Sequence, residues 1–148
     1  MSPNVEQAAR RLVPALWAGA LLCVAAIATP APFATLAAAD AGRVVARILA
    51  QEAWLSLAIG AAVVVMERRQ ARREAQAGQG SQLSTNLLLG LGALACTLAG
   101  YFAVQPMLPA ARAGQAWIGF GTLHAASVGF YMLKLALVLT LAWRCTSR

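Results

Sequence analysis

Apolar residues run along this chain in four long blocks, residues 12–29, 44–66, 83–104 and 119–143, separated by shorter polar or proline-bearing stretches. At 1.5 Å of rise per residue, each block is long enough as a helix to cross a hydrocarbon layer about 30 Å thick, given some tilt. None shows the two-residue alternation of a barrel strand, which argues against a transmembrane β-barrel. The pattern predicts an all-α integral membrane four-helix bundle, a single domain over residues 1–148 with a loop at 67–82.

Punctuation within the pattern sets the expected helix ends. Pro14 is expected in the first turn of the first helix, where a missing N–H is harmless. Pro30 and Pro106 are read as helix-ending prolines, because each removes a donor and restricts its predecessor. Asp40 is expected as the N-cap of the second helix, and Ser84 or Thr85 as that of the third. Trp117 and Trp143 bracket the fourth, about 39 Å apart at helical rise, a spacing that suits tryptophan belts at the two bilayer surfaces. Small residues recur at helical spacing: Ala15, Gly19, Cys23 and Ala26 on the first helix, and Gly60 one turn beyond Ser56 on the second. Gly90, Ala93 and Gly100 do the same on the third. Such faces let helices approach closely in lipid, so Gly19, Gly60, Gly90 and Gly100 are read as packing positions.

Composition agrees with a membrane chain: 60% of residues are hydrophobic and 11% charged, against about 25% charged in soluble domains. The net charge of +7 is distributed by side. Arg10, Arg11, Arg68, Arg69, Arg72, Arg73, Arg144 and Arg148 flank the helices on one side, and Arg43, Arg47 and Arg112 on the other. This positive-inside bias places both termini and the 67–82 loop in the cytoplasm, in a multi-pass protein of the inner membrane. The basic residues lack the aromatic interleaving of nucleic-acid readers, so the expected partner is the lipid bilayer and not nucleic acid. The first block is read as a retained span and not a cleaved signal peptide, since it is needed to keep the arginine-rich loop inside. Cys23, Cys96 and Cys145 are odd in number and do not resemble an extracellular disulfide framework.

The candidate chemistry lies in the fourth block, which carries the chain's only histidine, His124, and its only lysine, Lys134. On a helix His124, Ser127, Tyr131 and Lys134 fall within roughly an 80° arc. Ionisable groups at membrane depth are costly and normally face protein or water with a partner. The partner expected here is Glu52, because the uncharged part of the second helix is too short to span without it. Either a Glu52–Lys134 ion pair or a Glu52–His124 hydrogen bond would relieve the burial. The two hairpins also read as a parallel repeat. In each, a proline ends the outgoing helix, an Ala-Gly step follows (Ala41-Gly42, Ala113-Gly114), and Glu52 or His124 lies ten residues beyond, at matched depth.

Three functions stay open for the cluster. It handles protons or small cations, a metal cation being held by His124 and Glu52 with help from a second copy in a homo-oligomer. It fixes helix register and does nothing more. Or His124 is an axial ligand in a haem-binding redox protein. No nucleophilic triad, phosphate-binding glycine loop or carboxylate pair is present, so no catalytic residue is assigned and no cofactor is strongly implied.

The run Phe120-x3-His124-x2-Ser127-x3-Tyr131, the Pro30-x2-Phe33 segment, the Ala41-Gly42 step and Glu52-Ala53-Trp54-Leu55 resemble the transmembrane-protein-205-like group. Its bacterial branch is a domain of unknown function, group 4149. The resemblance implies a four-helix membrane domain without a settled activity. Lys134 departs from its pattern, which leads one to expect an uncharged polar residue such as glutamine there.

Overall fold

The computed structural model describes residues 3–147 and contains helices and turns with no strand among them. Six α-helices follow one another: α1 (Pro3–Cys23), α2 (Ala31–Thr35), α3 (Ala38–Gln76), α4 (Thr85–Thr97), α5 (Leu108–Arg112) and α6 (Phe120–Thr146). With their flanking turns they make four spans long and apolar enough to cross a membrane, Asn4–Thr35, Ala38–Gln76, Thr85–Arg112 and Phe120–Thr146. Packing runs α1–α3, α3–α4, α4–α6 and back to α1, so α3 and α6 stand on opposite corners of the bundle with little direct contact.

The radial pattern is that of a chain immersed in lipid. Leu12, Leu16, Ile27, Trp54, Val128 and Leu133 are exposed, whereas Glu52, Ser56, Asn86, Thr97 and Lys134 are buried. The apolar core packs Trp17, Leu21, Val63, Ala93, Val138 and Leu141 from all four spans. Both termini and the α3–α4 connector gather at one end, here the terminal end. There Arg10 bonds Glu67 through two 2.9 Å contacts, Arg73 bonds Glu6 at 2.9 Å, and Arg144 bonds Asn86 at 2.9 Å.

Several boundaries differ from those expected. The lead before residue 12 is helical, and Pro14 is an internal, fully buried residue of α1. Asp40 does not cap α3; the N-cap is Ala37, and Asp40 sits in the first turn paired with Arg43. Ser84 does cap α4, accepting a 3.2 Å hydrogen bond from the Leu87 N–H. The largest departure is the loop expected at 67–82, since α3 continues to Gln76. Its inward stripe of Gly60, Val63, Glu67 and Ala71 keeps helical spacing through the arginine-rich segment. Glu67 is buried against Arg10, and Gln70 donates to Glu74 one turn on, at 2.8 Å.

At the far end Pro30 and Pro106 do not end their spans as expected, since helical turns run on past them to Thr35 and Arg112, and the two spans are distorted alike. A π turn at Val24–Ala28 precedes Pro30 and the short α2, and a π turn at Leu98–Val104 precedes Pro106 and the short α5. A proline ring crowds the carbonyl four residues before it, and a wider turn moves that carbonyl aside. The Ala-Gly steps are not equivalent, however. Ala41-Gly42 lies within α3, whereas Gly114 follows α5 in a left-handed turn with φ of 72°.

Candidate functional site

Lys134 reaches diagonally across the bundle from α6 to Glu52 on α3. Its Nζ donates to Oε1 at 2.7 Å and to Oε2 at 2.9 Å, and the two side chains are only 4% and 6% exposed. The ammonium also lies 4.6 Å from the centre of the Tyr131 ring, close enough for a cation–π contact. The ammonium is thus held by two hydrogen bonds to the carboxylate and by the ring face.

Behind the carboxylate runs a relay that reaches α1. The Ser56 hydroxyl donates to Glu52 Oε1 and accepts from Trp17 Nε1 at 2.9 Å. Ser56 is one helical turn beyond Glu52, which lets it bond the carboxylate from the same face. The Tyr131 hydroxyl returns to α1 by donating to the Leu21 carbonyl at 2.9 Å. No buried side-chain nitrogen or oxygen among the described residues lacks a hydrogen-bond partner, as low dielectric requires.

In front of the pair lies a cavity of about 260 Å³, whose wall includes Glu52, Lys134, Tyr131, Ser127, Gln105 and His124. From His124 to Lys134 is ten residues of α6, about 15 Å of helical rise. Ala25 comes from the first π turn and Gly100 and Tyr101 from the second, so both distorted segments face this space. Single π turns inside α-helices are frequent at functional sites. Val45, Leu49, Val128 and Met132 add apolar wall.

The structure brings Glu52, Tyr131 and Lys134 into direct contact and leaves His124 apart from them. His124 is exposed at the far end, stacked on Phe120 with ring centres 5.6 Å apart, and the Arg112 guanidinium lies 4.7 Å from the same phenyl ring. Of the two expected partners, Glu52 therefore takes Lys134. Ser127 is half-buried and accepts a 3.4 Å hydrogen bond from Gln105. Among the described residues no group of three His, Cys, Asp or Glu is placed to hold a metal ion.

The glycines divide. A Cβ on Gly60 would come within 2.5 Å of Leu94 Cδ2, one on Gly90 within 3.2 Å of Val64, and one on Gly100 within 2.8 Å of Phe130 Cβ. Gly19 has no atom within 4 Å of such a carbon, and Cys23 is exposed, so the small face of α1 points away from the bundle. The packed face is Pro14, Trp17, Ala18 and Leu21. Trp17 belongs to the site through its bond to Ser56, although the small-residue pattern of α1 does not mark it. The available signal was its place in that inward stripe, four residues before Leu21.

A second, polar cavity of about 450 Å³ opens at the terminal end, between Arg10, Glu67, Gln70, Glu74, Asn86 and Arg144. No curated protein and no solved structure matches the chain. A family profile described as "Domain of unknown function (DUF4149)" matches residues 12–117, which takes in most of the first span and all of the second and third and stops short of α6. A match over that much of the sequence places the chain in the DUF4149 family.

Proposed function

We propose that this multi-pass protein handles protons or small cations at the Glu52–Lys134 pair, which they reach from the far end of the bundle through the His124-lined cavity. The observation that carries this reading is the cavity itself. It joins an exposed histidine to a carboxylate and an ammonium that are otherwise sealed from their surroundings. Below the pair the apolar core closes the path toward the terminal end. The arrangement is a half-channel ending on an exchangeable ion pair. Ionisable groups that meet one another at membrane depth are the usual parts of ion and proton pathways. The positive-inside distribution of arginine supports an inner-membrane setting with cytoplasmic termini, and the cavity then faces the periplasm.

One observation favours a purely structural role: every buried side-chain nitrogen and oxygen among the described residues is already bonded, and buried pairs often only fix helix register. The two readings separate in vesicles. Glu52→Gln and His124→Ala are reconstituted beside the parent, and proton- and cation-dependent flux is recorded together with thermal stability. Loss of flux with folded protein supports ion handling; no flux in the folded parent removes it. A cysteine placed at residue 124 in a background without native cysteines should react with a membrane-impermeant thiol reagent from the periplasmic face only.

A further inference from the structure

The centre of the bundle holds a primary ammonium group, the chain's own. Eleven of the twelve basic residues are arginine, and the single lysine is the one that reaches the buried carboxylate. The compact ammonium is held by two carboxylate oxygens at 2.7 and 2.9 Å and by the Tyr131 ring face at 4.6 Å. Glu52 is in turn bonded by Ser56, which Trp17 holds, so the carboxylate has direct partners on α3 and α6 and is tied to α1 through the serine. The cavity, of about 260 Å³, opens onto this same spot, and Val45, Leu49, Val128 and Met132 give it an apolar wall. A carboxylate and an aromatic face beside an apolar wall are complementary to an alkylammonium ion. The head donates hydrogen bonds to the carboxylate, the charge sits over the ring, and the tail lies along the apolar wall.

We propose that Glu52 and Tyr131 form a binding site for small primary alkylammonium ions, with Lys134 acting as a tethered occupant that such an ion displaces, the lysine leaving as the neutral amine and its proton passing out through the cavity. This rests on the ion-handling reading above and names its substrate class. A quaternary ammonium cannot donate to the carboxylate, and a sodium ion must give up hydration that one carboxylate and a phenyl face do not replace. Neither should substitute.

The test removes the tether and supplies the missing piece. Lys134→Ala deletes the part of the side chain that n-propylammonium reproduces. Purified Lys134→Ala protein is melted in mild detergent with increasing n-propylammonium chloride, with sodium chloride and tetramethylammonium chloride at equal ionic strength as controls. The expected result is a saturable rise in the unfolding midpoint of at least about 3 °C with n-propylammonium alone. The rise should be absent in Glu52→Gln/Lys134→Ala and reduced in Tyr131→Leu/Lys134→Ala. Equal effects of all three salts, or an amine effect that survives loss of Glu52, would overturn the proposal. If Lys134→Ala cannot be purified folded, the same variant is prepared with n-propylammonium throughout. Recovery of folded protein then supports the site, and failure with amine counts against it. Rescue without amine or proton flux in vesicles would keep the site and remove the transport reading, so the two fail separately.

Discussion

Glu52 and Lys134 each stand fourteen residues beyond the first residue of their helix, Ala38 in α3 and Phe120 in α6, and they meet although those helices barely touch. The matched register explains why a lysine can bridge the diagonal: both side chains arrive at one level, and the long stem covers the remaining distance. It also replaces the correspondence suggested by the Ala-Gly steps, which had paired Glu52 with His124. Counting from a dipeptide fails because one step lies inside a helix and the other in a turn.

Breaking this pair from one side should damage the protein more than removing it whole. Glu52→Gln strands an ammonium and Lys134→Met a carboxylate, each at a cost of about 3–5 kcal/mol. Glu52→Leu/Lys134→Met removes both charges and should recover most of the loss, since an apolar pair of similar volume often replaces a buried ion pair at little cost. Unfolding in detergent gives the three values. A double variant as unstable as the sum of the singles would show that the charges do not act on each other.

Much of this was legible because the membrane makes patterns coarse. Four apolar blocks fix four spans, and one carboxylate and one lysine at membrane depth have few partners to choose from. What the sequence hid was orientation around each helix. In a membrane chain the lipid face and the core face are both apolar, so Gly19 in lipid and Gly100 in a tight crossing look alike, and Trp17 passes for bulk. The continuation of α3 through 67–76 was hidden for a related reason. An arginine-rich segment reads as a solvated loop until Glu6 and Glu67 are seen facing Arg73 and Arg10.

Trp17 is expected to act through its indole N–H as well as its bulk. Trp17→Phe keeps most of the packing and removes the donor to Ser56, which should cost about 1 kcal/mol. Trp17→Ala also opens a cavity in the core and should cost about 3–5 kcal/mol. Ser56→Ala, which removes the relay in the middle, should make Trp17→Phe nearly silent when the two are combined. Independent effects in the double variant would mean that the indole and the carboxylate are not linked through the serine.

The glycines give a contrasting series. Gly100→Ala forces the new methyl against Phe130 Cβ, an atom close to the backbone that has little room to retreat, at a cost of about 1–3 kcal/mol. Gly60→Ala meets Leu94 at 2.5 Å and 3.0 Å and the buried Trp17 ring at 3.1 Å, so its cost should be of the same order. Gly19→Ala meets nothing and replaces a poor helix former by the best one, so it should be neutral or stabilising by up to about 1 kcal/mol. Melting curves of the three alanine variants rank them, and an equal loss at Gly19 and Gly100 would contradict the outward placement of the α1 small face.

The terminal end offers a test that needs no knowledge of function. Arg68, Arg69, Arg72 and Arg73 are four trypsin sites, and a flexible connector would be cut at them quickly. Here they lie on the last turns of α3, where Glu67 is buried against Arg10 and Arg73 reaches Glu6 on α1. Cleavage requires local unwinding, so its rate reports how firmly this end is closed. Glu67→Ala removes a buried carboxylate and leaves Arg10 without its partner, so the last turns of α3 should open more often. We expect several-fold faster tryptic cleavage between residues 68 and 73 in Glu67→Ala, with cleavage at Arg43 and Arg112 unchanged. Glu74→Ala serves as the control, because that side chain bonds Gln70 on its own helix and adds only the weakest of the attractions felt by Arg10, with no hydrogen bond to α1. Equal rates in parent and Glu67→Ala would mean that the segment is already open and that the Arg10–Glu67 pair does not hold it.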